Sequence, residues 1–455
     1  MIALGSRGGG GLRSRIQLNR FFVMLVLVTG CGGKSAHDGS SSPNSGGGES
    51  QGGASGIADA GTAGSAGDAG ASADAGSAAS EPCAPGAAPL RRLTNAQYWS
   101  SVSALLGDVG QTNGHLPDHQ DRSPSSNFAA GQSVDSELTT AYFDLGKELA
   151  ARATSDPKVL AELAPCAATA TAATVSTCAR STVEAFASNA FRRAPTASEV
   201  DELLALHDSI RDGGGTFAQA TAGVISAILQ APEFLYRLEW GTNDGSREDA
   251  RPLSGDERAT RLSFLLWGAP PDEALRVSAQ SGGLADPAGV LKQAKRLLDD
   301  PRAHAGLAAF FDDYLALGRL PTLRSSDADY GPSLAAMLQQ ATQRFLEVQV
   351  FDRKASWPSV LTAETAFVNG PLSALYGLDG ISGDTLREVS LDTRQRLGLL
   401  TQAAPLIALG APDSTNPTQR GYQIMQNVLC REVPPEEPNV VYPRPKNGGG
   451  TARQR

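Results

Sequence analysis

The sequence lacks several signatures that would identify a chemistry at once. Its 455 residues include five histidines and 6% aromatic residues, and no glycine-rich phosphate loop lies between a strand and a helix. No Cys-x-x-Cys-His occurs, so the chain has no motif for covalent attachment of a c-type haem. No sustained alternation of apolar and polar residues is present, which argues against an extensive β-sheet. Catalytic residues are therefore unknown from the sequence.

Acidic residues outnumber basic residues. Lys and Arg total 39 against 48 Asp and Glu, so the formal net charge is −9, and removing the four arginines that precede Cys31 takes it to −13. Binding to nucleic acid depends on basic patches that neutralise phosphates. Nucleic acid is therefore not an expected partner, and the acidic balance bears mainly on solubility.

Residues 1–31 have the composition of an export signal. The first 20 residues contain four arginines and no acid, and the apolar run 21–28 is too short to span a bilayer. The run leads into Val28-Thr29-Gly30-Cys31, which resembles a bacterial lipobox. The resemblance implies a lipid attached to Cys31 and an exported protein of the cell envelope. We expect an anchor in the outer membrane, facing the periplasm or the cell surface.

A low-complexity segment follows the predicted lipidation site. Residues 32–80 are mostly Gly, Ala, Ser and Asp, with Ile57 as the single branched aliphatic residue and no Phe, Trp or Tyr. Such a segment cannot bury enough apolar surface to offset the chain entropy lost on folding. It is therefore predicted to be a disordered tether, with a root-mean-square span of roughly 40 Å for a flexible coil of this length.

The remaining sequence has the period and the start signals of helices. Three capping boxes, in which a Ser or Thr is followed three residues later by Glu or Gln, are predicted. They are Thr94 with Gln97, Thr196 with Glu199, and Ser254 with Glu257. Asp286-Pro287 and Asp300-Pro301 predict two more starts, and Ser133 another. The fold class is therefore predominantly all-α, as an array of two or three packed helical units with long loops and with its core around residues 190–271.

The cysteines predict two disulfides. With Cys31 lipidated, four cysteines remain, an even number in an oxidising exported setting. Cys166 and Cys178 flank a short Ala/Thr-rich loop between two helical segments, so we expect them to pair. Cys83 and Cys430 would then form the second disulfide and join the two ends of the folded region.

Metal and ligand sites have few candidates. His115 and His119 are four residues apart, but Pro117 places them in a loop, so we interpret the segment as a solvated loop and predict no metal site. His207 lies on an apolar helix face and is predicted to be a core histidine. The tryptophans are scattered, so packing is the expected role, with a sugar-stacking platform as the alternative. They are Trp99, Trp240, Trp267 and Trp357.

Four stretches resemble, in order, four domains of unknown function. Domain 1587 is indicated by LRRLTNAQY at 90–98, domain 1595 by AFRRAPT at 190–196 and APEFLYR at 231–237, domain 1592 by 253–267 and LYGL at 375–378, and domain 1588 by RLGLLTQ at 396–402 and NPTQRG at 416–421. The expected units are 81–165, 166–245, 246–380 and 381–455. Together with the lipobox, the series resembles exported proteins of planctomycete or myxobacterial type.

The resemblance also sets an expectation about the end of the chain. In many relatives a haem-c-like Cys-x-x-Cys-His follows the segment that resembles residues 451–455, so the 381–455 unit is expected to be truncated. Haem c is then a cofactor of full-length relatives, and none is predicted for this chain.

The expected function is a lipid-anchored binding or scaffold component of an exported electron-transfer or polymer-processing assembly. The alternative is a haem- or metal-dependent envelope enzyme whose cofactor-binding end is missing. Expected partners are the membrane, reached through the lipid, and envelope proteins or polysaccharide.

Overall fold

The computed structural model of this protein describes residues 89–110, 112, 114–117, 129, 132–243, 251–323, 330–410, 415–431 and 433. The predicted export signal and tether lie outside these residues. Among the helices that are described, none is both long and apolar enough to cross a membrane.

The first half of the fold consists of helices and one very short strand pair. In chain order the elements are β1 (Arg91–Arg92), α1 (Asn95–Leu106), α2 (Ser136–Ser155), α3 (Pro157–Leu163), α4 (Val175–Phe191), α5 (Ala197–Asp212), α6 (Phe217–Ile228), α7 (Pro232–Leu235), β2 (Tyr236–Arg237) and α8 (Gly255–Leu266). β1 and β2 are antiparallel, with Arg91 opposite Arg237 and Arg92 opposite Tyr236.

The second half continues the helical array and adds another strand pair. Its elements are α9 (Glu273–Gln280), α10 (Pro287–Leu298), α11 (Arg302–Tyr314), a 3-10 helix (Leu317–Thr322), α12 (Pro332–Glu347), a π-helix (Val348–Asp352), α13 (Trp357–Leu361), β3 (Thr365–Val368), α14 (Gly370–Tyr376), β4 (Arg387–Ser390), a 3-10 helix (Leu399–Thr401), α15 (Ala403–Ala408), α16 (Pro417–Gln423) and a π-helix (Ile424–Val428). β3 and β4 are antiparallel, from Thr365 opposite Ser390 to Val368 opposite Arg387. The predicted all-α class is confirmed.

The helices begin largely where the sequence places the capping boxes. All three predicted boxes form, so each helix start has two of its backbone amides satisfied by side chains. A fourth box, Thr216 with Gln219, starts α6 and was not predicted.

Two helix starts lie three residues and one residue later than predicted. α2 begins at Ser136 rather than Ser133, because the Asp135 carboxylate caps it by accepting a 2.9 Å hydrogen bond from the Leu138 amide. α11 begins at Arg302 rather than Pro301. The Asp300 carboxylate still accepts a 2.9 Å hydrogen bond from the backbone amide of Arg302, as an N-cap does, and it also accepts from the Arg302 guanidinium.

The main core joins helices within the predicted core region to helices that precede it in the chain. α6 and α7 contribute from within residues 190–271, and α1 and α2 supply the opposing side chains. Its large, fully buried members include Tyr98, Leu138, Leu145, Leu149, Ile225, Ile228 and Phe234. The region that the sequence selects is thus part of the core, and the preceding helices complete it.

Candidate functional site

The predicted site residues are spread over the chain. Cys31, Cys83 and His119 lie outside the described residues, and His115 is exposed. Within the described part of the chain, no group of three or more His, Cys, Asp or Glu residues could hold a metal ion.

The disulfide between Cys166 and Cys178 is confirmed. The two Cα atoms are 5.7 Å apart, and the bond fastens the connection after α3 onto the first turn of α4. Cys430 is exposed and forms no disulfide with the other described cysteines. Because Cys83 is outside the described residues, the pairing of Cys83 with Cys430 stays a prediction.

A buried arginine holds the β1–β2 region in place. Arg192 follows the last residue of α4 with a φ of 59°, a left-handed backbone conformation. Its guanidinium donates to the carbonyl oxygens of Ala190 (3.0 Å), Glu233 (3.0 Å), Phe234 (3.1 Å) and Tyr236 (2.8 Å). Burial, and the positive charge of neighbouring arginines, lower the pKa of Arg192. The side chain therefore joins the end of α4 to α7 and the start of β2.

Arginines also face one another across the strand pair. Arg91 lies opposite Arg237, and Arg261 forms an ion pair with Glu239 two residues further on. Partial burial, and then the charge of Arg91, lower the pKa of Arg237 to about 10. Like charges directly opposite each other destabilise a strand pair. The pair is therefore held by the surrounding packing and by the Arg192 hydrogen bonds.

The tryptophans divide into packing residues and one exposed residue. Trp267 is buried, donates from Nε1 to the Leu297 carbonyl over 2.8 Å, and has the Arg302 guanidinium 3.5 Å from its ring centre. Trp240, by contrast, is 70% exposed. Its backbone amide donates to Glu257, which fixes the main chain and leaves the indole in solvent. Trp240 is therefore the one described tryptophan exposed enough to stack on a sugar.

The last described helix presents an apolar surface. Tyr422, Ile424 and Leu429 are 40%, 37% and 53% exposed, and we call these three residues the C-terminal apolar surface. α16 and the π-helix after it have no buried residue. The π-helix is a rare conformation that is frequent at functional sites. The sequence does not predict this exposure, although the apolar residues at 422, 424, 425, 428 and 429 indicate an apolar segment.

Tyr314 connects this helix to the rest of the fold. Its hydroxyl donates to the Asn427 carbonyl (2.9 Å), and its own carbonyl accepts from the side-chain amides of Asn427 (2.9 Å) and Gln423 (3.0 Å). Burial, and then the nearby Cys430, raise the pKa of Tyr314 to about 12. Tyr314 therefore stays a neutral hydrogen-bond donor, and it positions the C-terminal apolar surface on α11.

A carboxyl group on α11, the helix that ends with Tyr314, is partly buried. Asp312 accepts from the side-chain amide of Gln339 (2.7 Å) and, more weakly, from that of Gln343 (3.4 Å) on α12. Burial raises the pKa of Asp312, against the effect of these hydrogen bonds, and the charge of Asp313 raises it further. The contact joins α11 to α12 beside the attachment point of the last helix.

Four family models match the chain in succession. Each is described as a protein of unknown function: DUF1587 matches residues 91–155, DUF1595 residues 178–239, DUF1592 residues 253–378 and DUF1588 residues 396–455. The predicted order of domains is confirmed. Comparison with curated proteins and with solved structures gives no significant match. The C-terminal apolar surface lies within the segment that the DUF1588 model matches.

Proposed function

We propose that this protein is an exported binding or scaffold component of an electron-transfer assembly in the cell envelope, held at a membrane by a lipid on Cys31. The disulfide between Cys166 and Cys178 supports an extracytoplasmic location, because disulfides persist in oxidising compartments and are rare in the cytosol. The lipobox-like residues 28–31 and the low-complexity residues 32–80 support an anchor followed by a tether.

The C-terminal apolar surface is the observation that carries the proposed binding role. Exposed apolar groups that cluster on one element, and are not merely scattered singly, mark interaction sites. Here Tyr422 on α16, Ile424 on the π-helix and Leu429 at its end lie within eight residues of sequence, and neither helix has a buried residue. The hydrogen bonds to Tyr314 hold this segment in position without covering its apolar side chains. The segment thus offers a preformed group of exposed apolar side chains for docking.

The proposed partner is a haem-carrying protein. The DUF1588 model bears the short name PSCyt3, which points to cytochromes. The residues of this chain do not fit a covalently attached haem, because its five cysteines are not arranged as Cys-x-x-Cys-His. We therefore assign any haem to the partner and the docking surface to this chain.

Site-specific cross-linking in intact cells tests this function. A photo-reactive amino acid is placed at position 429 in the full chain, and a control at position 143, because Phe143 is an apolar residue of similar exposure (48% against 53%) on α2. After irradiation, adducts are separated under denaturing conditions and stained for covalent haem. We expect a haem-positive adduct from position 429 and none from position 143. Absence of haem-positive adducts from both positions, or the same adducts from both, would contradict the proposal.

A second candidate function is polysaccharide recognition through Trp240. The 70% exposure of its indole favours this role, because aromatic faces stack on sugar rings. Titration with envelope polysaccharide should then change tryptophan fluorescence in the wild type and leave the fluorescence of Trp240→Ala unchanged. Equal responses of the two proteins would refute this role.

A further inference from the structure

A small cavity lies between α4, α5 and α6, with the end of α3 closing one side. Its walls are mostly apolar and include Leu163, Phe186, Val224 and Ile225, and its polar members are Thr182, His207 and Thr221. It provides about 10 Å³ for the centre of a water-sized sphere. That is the lower limit of the space that a single water molecule needs.

Two polar atoms at this cavity have no hydrogen-bond partner among the described residues. His207 and Thr221 are each 3% exposed. Within the described part of the chain, neither His207 Nε2 nor Thr221 Oγ1 forms a hydrogen bond. Buried polar atoms in folded proteins are nearly always hydrogen-bonded, to protein or to ordered water. Two such atoms on the wall of one cavity therefore point to a common ligand.

The chemistry of the two groups limits what that ligand can be. His207 Nδ1 lies 3.3 Å from the Asp208 carboxylate, which can only accept, so this hydrogen bond requires the N–H to be on Nδ1. In the neutral ring of that tautomer Nε2 has a lone pair and accepts a hydrogen bond, while the Thr221 hydroxyl can donate or accept. The ligand must therefore donate a hydrogen bond to His207 Nε2 and either donate to or accept from the Thr221 hydroxyl. It must also be small enough to fit this cavity.

We infer that this cavity binds one water molecule, which donates a hydrogen bond to His207 Nε2 and bridges to Thr221 Oγ1. The bridge links α5 to α6 at a point where no direct polar contact between these two side chains exists. Ala179 and Thr182 also line the cavity, and both follow Cys178 on α4. Leu163 lies three residues before Cys166, so the disulfide holds two walls of the water site together.

The direction in which one substitution changes the Tm tests the water bridge. Thr221→Val keeps the shape of the side chain and removes its hydroxyl. With a bridging water, the substitution leaves that water with one partner fewer, so the Tm falls by about 2 °C. Without a water, it removes an unsatisfied buried hydroxyl, so the Tm rises. Thr221→Ser retains the hydroxyl and is the matched variant for the bridge, since it should keep the water.

Oxygen-17 magnetic relaxation dispersion of the full chain provides the second readout, because it detects long-lived internal water. We expect a contribution in the wild type and in Thr221→Ser that is lost in the double variant His207→Phe, Thr221→Val. A rise in Tm for Thr221→Val, or a relaxation dispersion that the double variant leaves unchanged, would overturn the inference. Because the second measurement needs only folded protein, it stands even if the change in Tm is small.

Discussion

The guanidinium of Arg192 donates a 2.8 Å hydrogen bond to the carbonyl oxygen of Tyr236, 44 residues later in the chain. The same group serves the carbonyl oxygens of Glu233 and Phe234, so one side chain satisfies the end of α7 and the start of β2. A charged donor makes hydrogen bonds that are stronger than those between neutral groups. Arg192 thus fixes the turn that leads from the main core to Trp240.

Replacing Arg192 is expected to destabilise the fold strongly. Arg192→Met leaves four carbonyl oxygens without this donor, two of them in buried hydrogen bonds, so we expect a loss of about 3 kcal/mol in the free energy of unfolding, measured by urea titration. The matched control is Arg193→Met, which removes a partly exposed ion pair with Glu199 and should cost about 1 kcal/mol. Equal losses in the two variants would show that Arg192 has no special structural role.

Gly306 is a second position of structural importance, because close packing leaves no room there for a larger side chain. α11 crosses the end of α8 so closely that a Cβ on Gly306 would overlap the carbonyl oxygen of Leu266. Gly306→Ala should therefore lower the free energy of unfolding by about 2 kcal/mol. Gly421→Ala is the control, because a Cβ on Gly421 meets no described atom within 4 Å. There the helix should gain about 0.5 kcal/mol, and the opposite ranking of the two variants would contradict the packing.

Glu199 gives the fold a defined sensitivity to acid. The hydrogen bonds from Arg193 lower the pKa of Glu199 to about 2, below the ordinary value of 4.5. Since the folded pKa is the lower one, this stabilisation is present above pH 4.5 and is lost as the pH falls towards 2.

Glu199→Gln tests this sensitivity, because glutamine keeps the capping box and removes the charge. We expect the variant to be about 1 kcal/mol less stable than the wild type at pH 7, after allowing for solvent screening, and equally stable at pH 2. Urea titrations at both pH values measure the difference. A difference that does not change with pH would rule out the ion pair as its source.

Asp312 should give the stability of the fold a pH dependence of opposite sign to that of Glu199. Burial raises its pKa, so the folded state holds the proton more tightly and stability falls as the pH rises through the interval above 3.8. Asp312→Asn keeps an acceptor for Gln339 and removes the buried charge. The variant should gain about 0.5 kcal/mol at pH 7 and nothing at pH 3. A loss of stability at pH 7 would mean that the charge itself is stabilising.

The sequence allowed prediction of those features that depend on neighbouring residues. The capping boxes at Thr94, Thr196 and Ser254 are found as predicted because both partners lie within one helical turn. The disulfide of Cys166 with Cys178 was also predictable, since only a short loop separates the two cysteines. The burial of His207 follows from the apolar face on which it lies.

Features that depend on distant residues could not be predicted. Three of the four carbonyl partners of Arg192 are 41 to 44 residues away, and no local pattern indicates them. The strand pairs have two and four residues in each strand, too few to give an alternating pattern. Predicting the exposure of the C-terminal apolar surface requires knowing which residues pack against α16, because helical periodicity alone cannot distinguish a buried face from an exposed one.

The haem content of this protein isolated from detergent-solubilised envelopes tests the proposed docking function most directly. The protein is expressed as residues 1–455, which contain no Cys-x-x-Cys-His, so covalently bound haem that co-isolates with this chain belongs to a partner. We expect haem with the wild type, a loss of about tenfold or more in Leu429→Glu, and no change in Phe143→Glu, the exposed control on α2. Wild-type protein that carries no haem above background, or Leu429→Glu that retains all of it, would contradict the account.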